Sequence, residues 1–369
     1  MSDTNPPRIG YAALSATLAA PGDRRRFAAY AKARHLTFEP ASPEERYDLV
    51  VLSEASDISV WCDYPHGKIV YDLVDSYLAE PRTTVKPWLR GVVWYATGRH
   101  RRVRFDYRET VRDMCRRADA VVCTTEEQKK DIGRYCHNVR VVLDVHDAVV
   151  RTTKKDYRAG EPFNLVWEGL PSNLPQIVTI RDVLRDIHKR RPLVLHIVTD
   201  PDQPRFLGHF GRVQSLDLAR RTFDEVRLHP WEERTAADIM CGFDLAVIPI
   251  DLSDPFVAGK PQNKLLLFWR MGMPVVASAT PAYRRSMGEA GLESLACSDR
   301  GEWAAALDRM MTDENLRRAA GERGRAVTQR LYNTESLLAR WDSVFASIGF
   351  AFGAERSLRE GIAQTIETA

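Results

Sequence analysis

Residues 244–278 read DLAVIPIDLSDPFVAGKPQNKLLLFWRMGMPVVAS, and few folds accommodate that order. The apolar run 244–250 predicts a buried strand. Residues 251–259 predict a loop, marked by Pro255 and Gly259. Asn263 is placed to cap a following helix, because its side-chain oxygen can take a free N–H of the first turn. Residues 264–271 read as that helix. Gly272 ends it, Pro274 blocks its return, and Val275-Val276-Ala277 predicts a second buried strand. A strand, a loop and a helix start bring free N–H groups and the positive end of the helix dipole together, which makes an anion site. Lys260 and Lys264 add charge there, and a diphosphate is the natural guest. On spacing alone the alternative is an ordinary βαβ unit with two solvated lysines.

The rest of the chain repeats this grammar. Residues 8–14, 48–52, 68–72, 118–124 and 139–143 predict strands in the first half. Residues 164–167, 193–198 and 225–229 do so in the second. Strands alternating with polar loops and helices predict α/β architecture with parallel sheets, whose ligands gather beyond the strand C-termini. Asp23 is placed to cap a helix over 24–34, and Thr124 with Glu127 fits a capping box. Residues 151–162 are polar with a turn signal, and the linker is expected there. Asp72 and Asp75 follow a strand and are acceptor-side candidates, with Asp75 as the catalytic one; the alternative for Asp75 is a helix cap or an arginine partner. His146 and Asp147 follow the strand at 139–143, and His146 is a further acceptor-side candidate, although a lone histidine is more often structural.

Composition sets bounds. With 369 residues, two ordinary domains are expected. The formal net charge of +3 is too small to argue for nucleic acid. Six scattered cysteines, with no C-x-x-C pair, predict reduced thiols rather than a metal or disulfide framework. MSDTNPPRIG lacks the order of a signal peptide, and no apolar run approaches the ~18 residues of a membrane span, so a cytoplasmic protein is expected. Residues 81–104 hold Arg82, Lys86, Arg90, Arg99, Arg101, Arg102 and Arg104 without an acid, interleaved with Trp88, Trp94 and Tyr95. That mixture suits the surface of an anionic membrane or a phosphate-bearing acceptor. The alternative is a solvated helix face with two core tryptophans.

Taken together, Pro249, Asp254-Pro255-Phe256, Gly259-Lys260, Lys264 and Gly272-Met273-Pro274-Val275-Val276, with His229-Pro230-Trp231 upstream, resemble the donor-binding segment of the retaining family 4 glycosyltransferases. The resemblance covers residues 163–345 well and the first half loosely. It implies a GT-B fold, two Rossmann-like domains facing a cleft. Residues 1–155 would form the acceptor domain and 156–335 the nucleotide-sugar domain, with a helical tail over 336–369 crossing back to the first. It implies glycosyl transfer with retention, from a nucleotide-sugar to a hydroxyl of a glycan or lipid-linked acceptor, in bacterial envelope or exopolysaccharide synthesis. No metal cofactor is expected. Lys260 and Lys264 would neutralise the diphosphate, Gly169 would allow close backbone approach, and Asn173, Trp231, Asp254, Gly259 and Asn263 would line the donor side.

The sequence departs from the family at one point. Many members hold the donor ribose with the second of two spaced glutamates, and those two places are held here by Lys260 and Leu267. Leu267 cannot accept a hydrogen bond, and Glu289 is the candidate substitute. Two other readings stay open. One is a non-catalytic chain of glycosyltransferase shape acting as an interaction partner. The other is a nucleotide-sugar epimerase, which needs an acidic cluster that the sequence does not reveal.

Overall fold

The computed structural model describes residues 6–80, 86–146, 148–204 and 211–352. All ten strands expected from apolar runs form, because strands of a parallel sheet are covered on both faces and read as unbroken hydrophobic stretches. The chain divides into two compact units, residues 1–145 with 334–369, and residues 146–333.

The first unit holds β1 (Ile9–Ala12), β2 (Glu39–Pro40), β3 (Leu49–Ser53), β4 (Lys68–Asp72), β5 (Ala120–Cys123) and β6 (Val139–Val141). They form one parallel sheet in the order β2-β1-β3-β4-β5-β6. The chain reverses direction across the sheet between β1 and β3, the switch point where ligands of such sheets collect. The core of this unit packs Phe27, Tyr30, Val51 and Val122 against Trp341 and Phe345 of the helix Thr334–Ala346. The Tyr30 and Phe345 rings stack at 5.2 Å. Asp342 accepts from Tyr30 Oη at 2.8 Å and from Arg34 at 2.7 Å.

The second unit holds β7 (Phe163–Glu168), β8 (Leu193–Thr199), β9 (Asp202–Pro204), β10 (Arg212–Gln214), β11 (Val226–Pro230), β12 (Leu245–Ile248), β13 (Val275–Ser278) and β14 (Ala296–Cys297). Its main sheet is parallel in the order β11-β8-β7-β12-β13-β14, with β9 and β10 as a separate antiparallel pair. The switch point here lies between β7 and β12. Residues 151–162, expected as a linker, are tied into this unit. Lys154 Nζ donates to Phe243 O at 2.6 Å and Tyr157 Oη to Gly272 O at 2.8 Å.

Several local expectations are corrected. The helix expected over 24–34 is two helices, Pro21–Arg25 and Phe27–Ala33, broken where Arg26 turns inward to Asp72. Asp23 is not a cap. It is buried, and accepts from Tyr11 Oη at 2.7 Å and from the Leu14 and Ser15 amides. The cap of the helix Glu126–Ile132 is Thr125, bonded to the Gln128 amide, rather than Thr124 with Glu127. Asn263 is the first residue of the helix Asn263–Arg270, and the cap position falls to Gln262. Gly272 does end that helix, at φ +72°, with the Met273 amide bonded back to Phe268 O at 3.0 Å.

Candidate functional site

The carboxyl edge of the second sheet gathers most of the expected donor residues. Lys264 lies in the first turn of its helix, with Nζ 4.7 Å from the centre of the Trp167 ring at the end of β7. A Cβ on Gly169 would come 2.5 Å from that Nζ and 3.1 Å from Trp167. Glycine is therefore what lets the ammonium sit against the backbone that leaves β7. Thr199 Oγ1 donates to Gly169 O at 2.6 Å, and the Trp231 amide donates to Thr199 O at 3.0 Å, which ties the ends of β7, β8 and β11 together.

Burial lowers the Lys264 pKa to about 8; Glu168 pulls it back up and Lys260 pushes it further down. A cation disfavoured by desolvation and by a second cation is relieved when an anion arrives. Lys260 Nζ donates to Asn173 Oδ1 at 2.5 Å. Gln262 makes no side-chain bond to the helix it precedes, whereas Asp254, Thr280, Asp299 and Asp313 each close theirs. The positive end of the Asn263–Arg270 dipole thus faces the two lysines without a side-chain cap. Behind it, the helix Glu314–Leu331 approaches closely because Gly324 leaves room for Trp269: a Cβ there would meet the indole at 2.4 Å.

The remaining donor-side expectations resolve into supporting parts. Asp254 caps the short helix Pro255–Ala258 by accepting from the Phe256 amide at 3.0 Å, and Gly259 closes that turn. Leu267 is 1% exposed and belongs to the core. Glu289 is the last residue of the helix Pro281–Glu289 and accepts from Tyr332 Oη at 2.9 Å. A nine-residue helix leaving the carboxyl end of β13 carries its last residue about 13 Å away, toward the opposite edge, so the structure argues against Glu289 as the ribose substitute. A cavity of about 480 Å³ opens beside the ends of β7 and β8, lined by Leu170, Ser172, Asp200, Asp202, Gln203 and Arg212. Asp202 is held by Arg212, whose guanidinium lowers its pKa. Sequence reasoning missed this cavity because the antiparallel pair β9 and β10 beside it has no apolar pattern.

The acceptor-side candidates, Asp72 and Asp75 in the first unit and His146 at the start of the second, separate. Asp72 is buried and bidentate with Arg26, at 2.7 and 2.6 Å, and Arg26 also binds Asp144 at 3.0 Å. It is a structural ion-pair member, not an open acceptor ligand. His146 is 1% exposed, with its carbonyl accepting the Val149 and Val150 amides. Asp147 and Arg82 lie outside the described residues. Asp75 is half-buried, and its amide donates to Glu54 Oε2 at 3.0 Å.

Glu54 is the residue that sequence reasoning missed. It follows β3 directly, and burial, with the charge of Asp75 next, raises its pKa to about 8. Burial and the neighbouring Asp75 charge both favour its protonated form. Glu54 and Asp75 make a carboxyl pair at this edge. The available signal was the position one residue beyond an apolar strand. Among the described residues, no three of His, Cys, Asp and Glu converge on a metal-sized site.

No family model matches the sequence, and no curated protein does. Solved structures do. The chain is similar to TarM at 12% identity and a TM-score of 0.53, covering 80% of this chain and 54% of TarM. An S. aureus TarM mutant solved with fondaparinux, alpha-GlcNAc-glycerol and UDP matches at 12% identity and a TM-score of 0.51. A UDP-forming trehalose-phosphate synthase from Burkholderia xenovorans matches at 12% and 0.51, covering 92% of this chain and 83% of that one. The chain spans about half the length of TarM. At these identities the likeness is one of fold. The fold class is α/β with two Rossmann-like parallel sheets, the GT-B class to which these glycosyltransferases belong.

Proposed function

We propose that this protein transfers a sugar from a nucleotide-sugar to a hydroxyl group, with retention at the transferred carbon. The observation that carries the reading is the Lys264, Lys260 and Asn173 cluster at an uncapped helix start, pressed against Gly169. Charge develops on the diphosphate as the glycosidic bond breaks. Fixed cations and helix amides stabilise that charge without reorganising. Solved TarM with UDP and alpha-GlcNAc-glycerol is a precedent of the same fold. In this reading Asp200 takes the ribose contact that Leu267 cannot make, Trp231 borders the donor, and Asp75 with Glu54 meets the acceptor hydroxyl.

The test is a thermal-shift screen of nucleoside diphosphates and nucleotide-sugars, followed by transfer assays with the donor that binds. A ligand at 100 times its Kd stabilises the native state by about 2.7 kcal/mol. Transfer is expected to survive EDTA, and a loss restored by magnesium or manganese would overturn the metal-free scheme. A chain that binds nucleotide but transfers nothing is the second reading, favoured by the burial of Leu267 where relatives hold the ribose.

A peripheral membrane setting, with a glycan or lipid-linked acceptor of envelope or exopolysaccharide synthesis, belongs to the same proposal. The helix Lys86–Ala96 and the loop after it expose Trp88, Leu89, Tyr95, Val103 and Phe105. Trp94 instead packs on His100 and Tyr107. The basic character is weaker than the sequence suggested: Arg90 pairs with Glu80, Arg101 with Glu44, and Arg102 with Asp63. Apolar insertion leads and charge assists. No helix among the described residues is long and apolar enough to cross a membrane.

A further inference from the structure

Residues 251–260, which carry Lys260 to the anion seat, leave β12 without a hydrophobic anchor. None of them is buried, and the short helix Pro255–Ala258 inside the loop buries no residue. The turns of the loop are closed from within. Asp251 accepts from the Ser253 amide at 3.0 Å, and Asp254 from the Phe256 amide at 3.0 Å. Such turns fix the local shape of a loop, and leave its placement on the sheet to contacts outside it.

Two such contacts come from Pro171–Ile180, the stretch that follows Gly169. It is a 3₁₀ helix, in which side chains three positions apart eclipse. Pro171, Leu174, Ile177 and Ile180 keep that period and are buried, so the core fixes this stretch as a post. Asn173 and Gln176 share an adjoining edge, one turn apart. Asn173 Oδ1 accepts from Lys260 Nζ at 2.5 Å, and Gln176 Oε1 accepts from the Asp251 amide at 2.7 Å. Two side-chain amides of one post thus hold the two ends of the loop. Across the exit of β12, the Ile250 amide donates to Ser278 Oγ at 2.8 Å.

A lysine on an untethered loop must be ordered when its anion arrives, and that ordering costs affinity; a loop held in place beforehand avoids part of the cost. Asn173 is neutral, so it orients the ammonium and leaves its charge for the anion. Gln176 works at the other end of the loop, on a backbone amide. We propose that Gln176 is a positioning residue for diphosphate binding: it holds the Asp251 end of the loop on the post, so that Lys260 meets the anion already placed. The inference rests on the nucleotide-sugar reading and adds to it a residue that touches no part of the donor.

The experiment titrates the full chain calorimetrically with inorganic pyrophosphate, the group common to nucleoside diphosphates. The proteins are the wild type, Gln176→Met, Lys260→Ala and the double variant. Gln176→Met keeps the length of the side chain and loses the acceptor. It should weaken binding about five- to tenfold, the scale of one hydrogen bond. On the Lys260→Ala background the same substitution should cost under about twofold, because a general loosening of the second unit would cost the same on both backgrounds and positioning does not. Hydrogen exchange of the Asp251 amide, without ligand, is the second readout. It should be faster in Gln176→Met and slow again in Gln176→Glu, which keeps an acceptor oxygen at the same reach. Gln176→Ala replaces Gln176→Met if the latter fails to fold. Wild-type affinity in Gln176→Met, equal losses on the two backgrounds, unchanged exchange, or no pyrophosphate binding by the wild type overturns the proposal. The nucleotide reading fails separately, if no nucleoside diphosphate or nucleotide-sugar shifts the melting temperature.

Discussion

The two sheets end in carboxyl edges of opposite chemistry. At the second, a half-buried lysine lies against an indole with a second lysine nearby, and desolvation with that second charge lowers its pKa. At the first, Asp72 is fully engaged by Arg26, while burial and the charge of Asp75 raise the pKa of Glu54. One topology thus carries a pair of lysines at the strand ends of one unit, and a carboxyl pair at those of the other. The strands do not decide which. The first few residues beyond them do.

The largest effect is expected from breaking the ion pair that the comparison calls structural. Asp72→Ala should destabilise the protein by about 3–5 kcal/mol, because buried Arg26 loses its bidentate partner and keeps only Asp144 and the Val142 carbonyl. Denaturant unfolding checks it. A loss of acceptor binding at unchanged stability would return Asp72 to the acceptor site.

Next comes Glu54. Its folded pKa, about 8, lies above the ordinary carboxyl value of 4.5, so the folded state holds the proton longer than the unfolded chain. Stability from this group is full below about pH 4.5 and is lost as pH rises toward 8, by about 2–3 kcal/mol between pH 5 and 7. Glu54→Gln should flatten that slope and be the more stable protein at pH 9. Parallel slopes for both proteins would mean that Glu54 ionises normally.

Lys264→Ala should weaken nucleoside diphosphate binding by about 1.5–3 kcal/mol, the size of a charge-assisted hydrogen bond, without lowering the melting temperature of the free protein. In the wild type, affinity should fall as pH rises through about 8, where the free protein loses the Lys264 proton. Calorimetric titration at pH 7 and pH 9 reads both. Wild-type affinity in the variant would make this lysine a mere surface charge.

The smallest effect concerns residues 86–105. Cosedimentation with anionic vesicles should fall more on Trp88→Ser with Phe105→Ser than on Arg101→Ser with Arg102→Ser. Unpaired basic residues at such a surface contribute about 1 kcal/mol each, and these two arginines have acidic partners. A larger loss from the arginine pair would reverse that order.

The strands were legible because each is an apolar run, and the lysines because Gly-Lys and a helix-opening lysine form a local pattern. Glu54 was not legible. Its ionisation depends on Asp75, 21 residues away, which only strand pairing brings near. The inward turn of Arg26 likewise depends on Asp72 and Asp144, so a continuous helix was the better local expectation. The pairing of Arg101 and Arg102 with Glu44 and Asp63 lies beyond sequence for the same reason: an acid-free segment can still have acids beside it in space.

The helix Thr334–Ala346 has a consequence for how the molecule is made. Trp341 and Phe345 belong to the core around Phe27 and Tyr30, so the first unit is assembled from both ends of the described chain. During synthesis its six strands emerge before the residues that cover Phe27, and the whole second unit is translated in between. The nascent first unit therefore waits, with an aromatic face open to water, for about 10–40 seconds at 5–20 residues per second. For that interval the face is available to a chaperone that recognises aromatic surface. A ribosome-bound chain halted before residue 334 is the species in which to find it.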